Sequence, residues 1–183
     1  MTTAYEQQLI RQLLDPATRR QAFERVVREY REQLYWHIRR IVLSHDDADD
    51  VLQNVFLKAW THLDGFHQES KLSTWLYRIA INESIDFARR KKTQMQVSLD
   101  QEDGGIVHLL MADEYFDGNQ MQARLQEAIR QLPDVQRTVF NLRYFDDMKY
   151  SEISQLLHTT EGALKASYHI AVKKIADFFR QHD

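Results

Sequence analysis

The stretch Ser44-His-Asp-Asp-Ala-Asp-Asp-Val-Leu-Gln-Asn-Val-Phe-Leu-Lys-Ala-Trp60 indicates which kind of fold this chain adopts. Ser44 is a good N-cap residue, and the aspartates that follow it suit the positive end of a helix dipole. Apolar residues then recur with a helical period, namely Val51, Leu52, Val55, Phe56, Ala59 and Trp60. The stretch therefore predicts an amphipathic helix with one buried face. One or two aspartates would be enough to cap the helix, but the stretch has four. The others therefore predict an exposed anionic patch that suits a basic partner.

Helical patterns continue on both sides of this stretch. The 183 residues include only 5 glycines and 2 prolines. Turn-rich β architectures need more of these residues, so the composition favours an all-α fold. Periodicity and end signals predict helices at about 4–14, 16–43, 46–62, 74–92, 120–131, 133–145, 150–157 and 161–181.

Several classes of protein are excluded by what the sequence lacks. It has no cysteine, which removes thiol nucleophiles, disulfides and Cys-ligated metal sites, and which fits a reducing compartment. No apolar run approaches the ~18 residues of a membrane span. The first residues lack the basic and apolar segments of a signal peptide. We therefore expect a cytoplasmic protein with no direct membrane insertion.

The formal net charge of −3 and the pI near 6.2 argue at first against nucleic-acid binding. The charge is uneven, however, because residues 94–118 contain six acidic residues, no Lys or Arg, and three of the five glycines. Residues 1–93 carry a net +2 and residues 119–183 a net +1. We interpret 94–118 as a flexible acidic linker between two small helical domains. An ordinary solvated loop with one short helix at Ile106–Met111 explains the same segment.

A second informative helix begins near Thr74, which can cap it, and ends in the run Arg89-Arg90-Lys91-Lys92. Pairing of this basic run with the negative end of the helix dipole is a sufficient structural explanation for it. Trp75 and Tyr77, however, lie beside Arg78. Aromatic side chains next to cations suit single-stranded nucleic acid, where bases stack and phosphates are neutralised. Composition alone leaves both interpretations open.

Residues 150–179 have the proportions of a helix-turn-helix motif. A short helix that ends at Leu157 is followed by a tight connection, His158-Thr159-Thr160, and by a longer helix from Glu161. The longer helix has an apolar stripe and an opposite side of small and basic residues, as a helix that enters the DNA major groove requires. A plain three- or four-helix bundle explains the same periodicity.

Taken together, these segments resemble bacterial RNA polymerase sigma factors of the extracytoplasmic-function (ECF) type. The resemblance is carried by Asp46–Trp60, by Leu72–Asn82 with Asp86 and Arg89-Arg90, by Leu132–Arg143, and by the helix-turn-helix segment ending Gly162-Ala163-Leu164-Lys165. The motifs cover most of the chain and stand in the family's order, split by a variable acidic linker.

The resemblance implies a sigma factor that directs core RNA polymerase to promoters and performs no bond chemistry itself. It implies polymerase docking through Asp46, Asp47, Asp49, Asp50, Gln53, Asn54, Phe56 and Lys58. It implies capture of the melted, single-stranded −10 element by Phe66, Lys71, Ser73, Thr74, Trp75, Arg78, Asn82, Arg89, Arg90, Lys91 and Lys92. It implies reading of the double-stranded −35 element by Thr160, Glu161, Lys165, Ala166, His169 and Lys173.

The family also implies an organisation and a set of partners. The expected domains are a region 2-like domain at 1–93, the linker at 94–118, which runs into the RNA exit channel, and a region 4-like domain at 119–183. An anti-sigma factor is the expected regulatory partner. Neither a cofactor nor a metal is expected.

The chain departs from the family's usual pattern in its docking helix and its helix-turn-helix. Asn54 stands where Glu is common, which weakens one expected docking contact. Lys149 stands where Ser often begins the first helix of the motif, so Asp147 or Ser151 is expected to cap that helix. His158 replaces the usual Gly of the tight turn and is one of the few non-glycine types enriched at positive φ.

The recognition helix also lacks two cations that are common in the family. It reads Lys165-Ala166-Ser167, and Ile170 occupies a further commonly basic position. We therefore expect an uncommon −35 sequence and a greater share of the DNA contact for Lys165, His169 and Lys173.

Two other function classes fit parts of the sequence. A helix-turn-helix repressor or activator would bind palindromic operators without polymerase, but it gives no task to the acidic patch at 46–50 or to the basic run at 89–92. An enzyme would have to use the histidines, including His62 and His67. No histidine pair has the i, i+4 spacing with an acidic partner that a metal site needs.

Overall fold

A computed structural model describes residues 4–67, 70–95, 105–113 and 118–182. Every regular element within these ranges is helical, which confirms the predicted all-α fold. The α-helices are α1 (Ala4–Leu14), α2 (Arg19–Val42), α3 (His45–Thr61), α4 (Leu72–Met95), α5 (Gly105–Ala112), α6 (Gln120–Arg130), α7 (Asp134–Tyr144), α8 (Tyr150–Leu157) and α9 (Glu161–His182), and a short 3-10 turn spans Leu63–Gly65.

Helices α1–α4 form an N-terminal unit around one apolar core. Leu34, Ile38, Val55 and Leu76 are buried there, with α2, α3 and α4 packed against one another. Ser44 caps α3 as predicted, since its side chain accepts a hydrogen bond from the Asp47 N–H at 3.4 Å. The short link between α2 and α3 turns the chain sharply, which presents the start of α3 at the surface.

The start of α4 differs from the prediction. Thr74 was expected to cap this helix, but α4 begins at Leu72 and Thr74 is buried inside its first turn. The Leu72 N–H donates to Glu6 Oε1 at 2.9 Å instead. A carboxylate from α1 therefore satisfies the end of α4, and this contact depends on tertiary packing that the local sequence does not reveal.

Helices α6–α9 form a C-terminal unit, in which α8 and α9 are the two helices of the helix-turn-helix. His158 ends α8 with φ 52°, which confirms that it takes the left-handed conformation. Neither Asp147 nor Ser151 caps α8. The Lys149 N–H donates to Glu152 Oε2 at 3.1 Å, so a carboxylate within the first turn caps the helix. Asp147 instead adopts a positive φ of 48° in the preceding loop.

The predicted linker at 94–118 contains a short helix, at the place where the alternative interpretation of this segment put one. Helix α5 covers the predicted Ile106–Met111 and extends one residue further at each end. Leu110 is buried against Leu43 and Ala123, so α5 packs between the two units. The parts of the linker at 96–104 and 114–117 lie outside the described residues.

The two units pack on each other through α4 against α8 and α2 against α7. Leu142 and Ile153 of the C-terminal unit belong to the same continuous apolar core as Leu76 and Tyr77 of the N-terminal unit. This closed arrangement determines which predicted functional surfaces face solvent.

Candidate polymerase and nucleic-acid interfaces

One side of α3 is exposed and carries much of the predicted docking set. Asp46, Asp50, Gln53 and Asn54 are all exposed there. Leu57 is 62% exposed in the same row, one turn after Gln53. The sequence-based prediction missed Leu57. Its signal was a large apolar residue off the core stripe, at i+4 from a predicted docking residue.

The other predicted docking residues are turned toward neighbouring side chains. Asp47 forms an ion pair with Lys91 of α4, and Lys58 forms one with Glu83. Asp49 Oδ2 lies 3.4 Å from His45 Nε2 within α3. Phe56 is half-buried with its ring edge-on to Phe23 at 6.3 Å. Asp47 and Lys58 therefore link α3 to α4, and Phe56 links it to α2, whereas the Asp49 contact lies within α3.

Trp60 was predicted as part of the core stripe of α3, but it is 40% exposed. Its ring packs edge-on against Phe23 at 5.1 Å, and the remaining surface faces solvent. The exposed row of α3 therefore ends in a partly uncovered indole. A row with carboxylates at one end and Leu57 and Trp60 at the other suits a partner surface that is both basic and apolar.

An open groove runs between α3 and α4. Its lining includes Lys58, His62, Trp75, Asn82, Glu83 and Arg89. The fold thus brings three residues of the predicted −10 set, Trp75, Asn82 and Arg89, to one groove. An indole face, an amide and a guanidinium are the groups that stack on an unpaired base, hydrogen-bond to its edge and neutralise phosphate.

Phe66 and Thr74 are also in the predicted −10 set, but the structure buries both, at 4% and 7% exposure. The ring of Phe66 lies 5.1 Å from that of Trp75, tilted by 45°. Phe66 therefore packs against the indole of Trp75 and does not line the groove. Ser73, which is also in the predicted −10 set, is half-buried.

Three cations of the predicted −10 set contact the C-terminal unit. Lys71 Nζ lies 3.0 Å from Glu152 Oε1, and Arg78 Nη2 donates to the Gln155 carbonyl at 3.2 Å. Arg89 Nη2 pairs with Asp134 Oδ2 at 2.7 Å. These cations are therefore engaged by α7 and α8 in this arrangement.

The pKa values of two groups in these pairs are shifted from their ordinary values. The pKa of Glu152 is lowered from its ordinary value, chiefly by the Lys149 N–H and then by Lys71. The pKa of the Arg89 guanidinium is raised by its hydrogen bond and charge interaction with Asp134. Both shifts favour the charged forms. For Arg89 the main cause lies across the interface, whereas for Glu152 it is the Lys149 N–H at the start of the same helix.

The end of α4 divides its basic run. Arg90 is exposed, with its Nε donating to the Asp86 carbonyl at 3.3 Å, while Lys91 is half-buried beside Asp47. The side chain of Lys92 lies outside the described residues. Within the run predicted to bind the DNA backbone, Arg90 therefore faces solvent and Lys91 contacts the start of α3.

The outer face of α9 is exposed. Lys165, Ala166, His169, Ile170 and Lys173 are all exposed on it, while Leu164, Ala171 and Ile175 are buried on the opposite side. The structure therefore brings together the −35 residues that the sequence predicted on this helix.

The start of α9 completes this surface. Thr160 Oγ1 accepts a hydrogen bond from the Ala163 N–H at 3.3 Å, so this residue caps the helix. Glu161 is exposed, with its carboxylate 4.0 Å from Lys165 Nζ. Lys165 Nζ also lies 5.7 Å from the centre of the Tyr150 ring. These neighbours limit the directions that the lysine can take.

No group of three or more His, Asp or Glu lies in a metal-binding arrangement within the described ranges. The imidazole Nδ1 of His62 contacts the Lys58 carbonyl at 2.9 Å at the edge of the groove. Among the described helices, none is long and apolar enough to cross a membrane.

Comparison with known proteins identifies two matching sequence families, Sigma-70 region 2 over residues 26–94 and Sigma-70, region 4 over residues 122–175. The ECF RNA polymerase sigma factor SigW of Bacillus subtilis is 34% identical over 158 residues, which cover 81% of this chain and 83% of that protein. The RNA polymerase sigma-H factor of Pseudomonas aeruginosa is 28% identical over 174 residues, which cover 91% of this chain and 89% of that protein.

Solved structures share the fold. CnrH, in a complex with the cytosolic domain of CnrY, matches with a TM-score of 0.71 at 20% identity, over 97% of this chain and 99% of that chain. The sigma factor RpoE from Bartonella quintana, in a complex with the anti-sigma factor NepR, matches with a TM-score of 0.66 at 22% identity, over 86% of this chain and 96% of that chain.

These matches confirm the family that the sequence motifs predicted. They place region 2 on α2–α4 and region 4 on α6–α9, and they extend over most of the chain at an identity that shows common descent. The protein belongs to the family of ECF RNA polymerase sigma factors, which are non-enzymatic proteins of transcription initiation.

Proposed function

We propose that this ECF sigma factor reads the −35 element with the exposed face of α9. The observation that carries this proposal is that Ala166 lies on the solvent side of α9 with Lys165 and Lys173 around it, none of them packed into the core. A small residue lets the helix backbone approach the base pairs, and lysines bind phosphate or guanine. A helix that served only as a bundle member would not need this arrangement.

The −10 strand is captured in the groove between α3 and α4. Trp75 provides a face for stacking and Asn82 an amide for the edge of an unpaired base. Phe66 acts as a positioning residue that holds Trp75. Lys71, Arg78 and Arg89 bind the strand's phosphates, which requires that α7 and α8 first move away from them.

Docking on core polymerase uses the exposed row of α3. Asp46, Asp50 and Gln53 supply the polar part of that surface and Leu57 an apolar centre. Exposed apolar residues surrounded by polar ones are typical of protein interfaces. Phe56 and the ion pair of Lys58 with Glu83 support the row from behind.

The functional domains are residues 1–93 and 119–183, joined by the acidic linker 94–118, and the protein acts in the cytoplasm. An anti-sigma factor controls it. Support for this partner comes from the solved relative RpoE, which is in a complex with an anti-sigma factor. The covered cations of α4 in the closed arrangement are consistent with a state that such a partner would stabilise.

Reconstitution with core RNA polymerase tests the proposal. The full chain should stimulate initiation from a specific subset of genomic promoters, measured by mapping transcript starts. Lys165→Ala should weaken binding to the cognate −35 duplex, whereas Asn82→Ala should chiefly reduce open-complex formation, seen as loss of permanganate-reactive thymines.

Arg180→Ala is the matched control for α9, because Arg180 is exposed on the same helix but pairs with Asp177 near its end. It should leave −35 binding unchanged. Unaltered transcription in both Lys165→Ala and Asn82→Ala would contradict the residue assignments. If the full chain stimulated initiation on none of the genomic templates, the proposal that it directs core polymerase to promoters would be contradicted.

A further inference from the structure

The loop between α7 and α8 places a carboxylate inside the N-terminal unit. Asp146 Oδ2 lies 2.6 Å from His37 Nδ1, and Asp146 Oδ1 accepts a hydrogen bond from Arg40 Nη2. The His37 side chain is 0% exposed and that of Asp146 5%. Each carboxylate oxygen therefore has its own partner on α2, in a largely buried site.

The loop is shaped so that Asp146 points into this site. The Asp146 N–H donates to the Asn141 carbonyl at 3.2 Å, and the Met148 N–H donates to the Leu142 carbonyl at 3.0 Å. Asp147, next in the chain, takes a positive φ and its side chain is 94% exposed. Two adjacent aspartates thus have opposite environments, and only the first meets the N-terminal unit.

An aromatic ring lies beside each of these two side chains of α2. The His37 ring lies 5.3 Å from that of Tyr77, and the Arg40 guanidinium lies 4.7 Å from the centre of the Phe145 ring. Burial raises the pKa of the Tyr77 hydroxyl, and the nearby Asp146 raises it further. Burial lowers the pKa of Arg40, against the opposing effect of Asp146. Asp146 therefore supplies the carboxylate that compensates the charge of the largely buried Arg40 guanidinium.

We propose that the His37–Arg40 pocket of region 2 is a carboxylate-binding site whose ligand is Asp146 of region 4, and that this contact holds the chain closed. Loss of one partner leaves a buried charge uncompensated, which is strongly unfavourable unless water enters. Because α7 and α8 flank the Asp146 loop, its docking sets these helices over Lys71, Arg78 and Arg89. The consequence for −10 binding, though not the closure itself, rests on the proposed function.

The absence of cysteine from the sequence makes the test direct. Arg20→Cys on α2 and Arg180→Cys on α9 replace exposed residues, so a donor and an acceptor dye report the distance between the two units in the full chain. Asp146→Asn should lower the transfer efficiency, because the units separate. Asp147→Asn is the control on the same loop and should leave the efficiency unchanged.

Arg40→Gln removes the partner of Asp146 on the N-terminal unit. It should also lower the transfer efficiency, and the double variant Asp146→Asn with Arg40→Gln should open the chain no further than either change alone. Unchanged efficiency in folded Asp146→Asn, or an equal fall in Asp147→Asn, would overturn the proposal. Loss of helical circular dichroism in both single variants would also overturn it, since the contact would then serve folding and not docking.

Binding of a fluorescent single-stranded DNA to the free full chain separates this proposal from the proposed −10 site. We expect about tenfold tighter binding in Asp146→Asn, as the competent open population rises. If the units separate while DNA binding is unchanged, the carboxylate site stands and the assignment of the covered cations to the −10 strand is wrong.

Discussion

Lys71, immediately before α4, and Glu152, in the first turn of α8, form an ion pair with Nζ 3.0 Å from Oε1. The second oxygen of Glu152 accepts the Lys149 N–H at 3.1 Å. One carboxylate therefore caps the first helix of the helix-turn-helix and also joins region 4 to region 2.

The first prediction concerns pH. The contacts of Glu152 lower its pKa below the ordinary 4.5, so its contribution to stability is fully present above pH 4.5 and is lost as pH falls through the lowered value. Glu152→Gln should reduce the free energy of unfolding by about 0.5–1 kcal/mol at pH 7, and by much less at an acidic pH below the lowered pKa. Urea denaturation at both pH values measures this.

Glu24→Gln is the control for that measurement, since Glu24 is exposed and pairs only loosely with Arg20 at 3.5 Å within α2. It should change stability less than Glu152→Gln does at pH 7. An equal effect of Glu152→Gln at both pH values would show that its ionisation does not stabilise the fold.

The second prediction concerns Leu57 in polymerase docking. Because its side chain is 62% exposed, Leu57→Ala should leave thermal stability nearly unchanged. It should weaken binding to core polymerase by about tenfold, the loss typical of an interface anchor. Competition against a labelled sigma factor checks this. Val135→Ala, which also shortens an exposed aliphatic side chain, should bind core polymerase normally.

The third prediction concerns Ile170, which is 44% exposed on the outer face of α9. Ile170→Arg should tighten DNA binding and steepen its dependence on salt by about one phosphate contact. It should also reduce discrimination in favour of the cognate −35 sequence, because an apolar contact suited to a thymine methyl is replaced by a charge. Anisotropy titrations over a range of salt, with cognate and scrambled duplexes, measure both effects.

Val172→Arg is the control for the added charge. Val172 is 41% exposed but lies two residues further along α9, and so on a different side of the helix. It should change the salt dependence less than Ile170→Arg does. An equal change in the two variants would show that net charge, and not the position on α9, governs binding.

The fourth prediction concerns Phe66 as the support of Trp75. Phe66→Leu keeps an apolar side chain under the indole and should retain most open-complex formation, whereas Trp75→Ala should abolish most of it. Phe66→Ala should lower the free energy of unfolding by about 3–5 kcal/mol, since the ring is 4% exposed. Stability and permanganate footprinting together distinguish packing from strand contact. Full loss of opening in a stable Phe66→Leu variant would indicate direct contact.

Much of the local structure follows from short-range patterns. The Ser44 cap, the end of α8 at His158 and the exposed face of α9 depend on neighbours within a few residues, so periodicity and capping rules predict them. Thr74 shows the limit of these rules. It has the right residue type for a cap, but Glu6, far away in the chain, reaches the Leu72 N–H and starts the helix two residues earlier.

By itself, the sequence determined the all-α class and the family, because helical period and residue chemistry are local properties. Only the tertiary structure decided which of the predicted site residues are exposed. The sequence does not distinguish Lys71, Arg78 and Arg89 from cations that face solvent. In the structure, however, they contact α7 and α8. Asp146 and Asp147 are adjacent and chemically alike, yet only packing against α2 buries the first. These contacts join residues that are 45 to 109 positions apart in the chain. They depend on how the two units dock, and no short pattern specifies that.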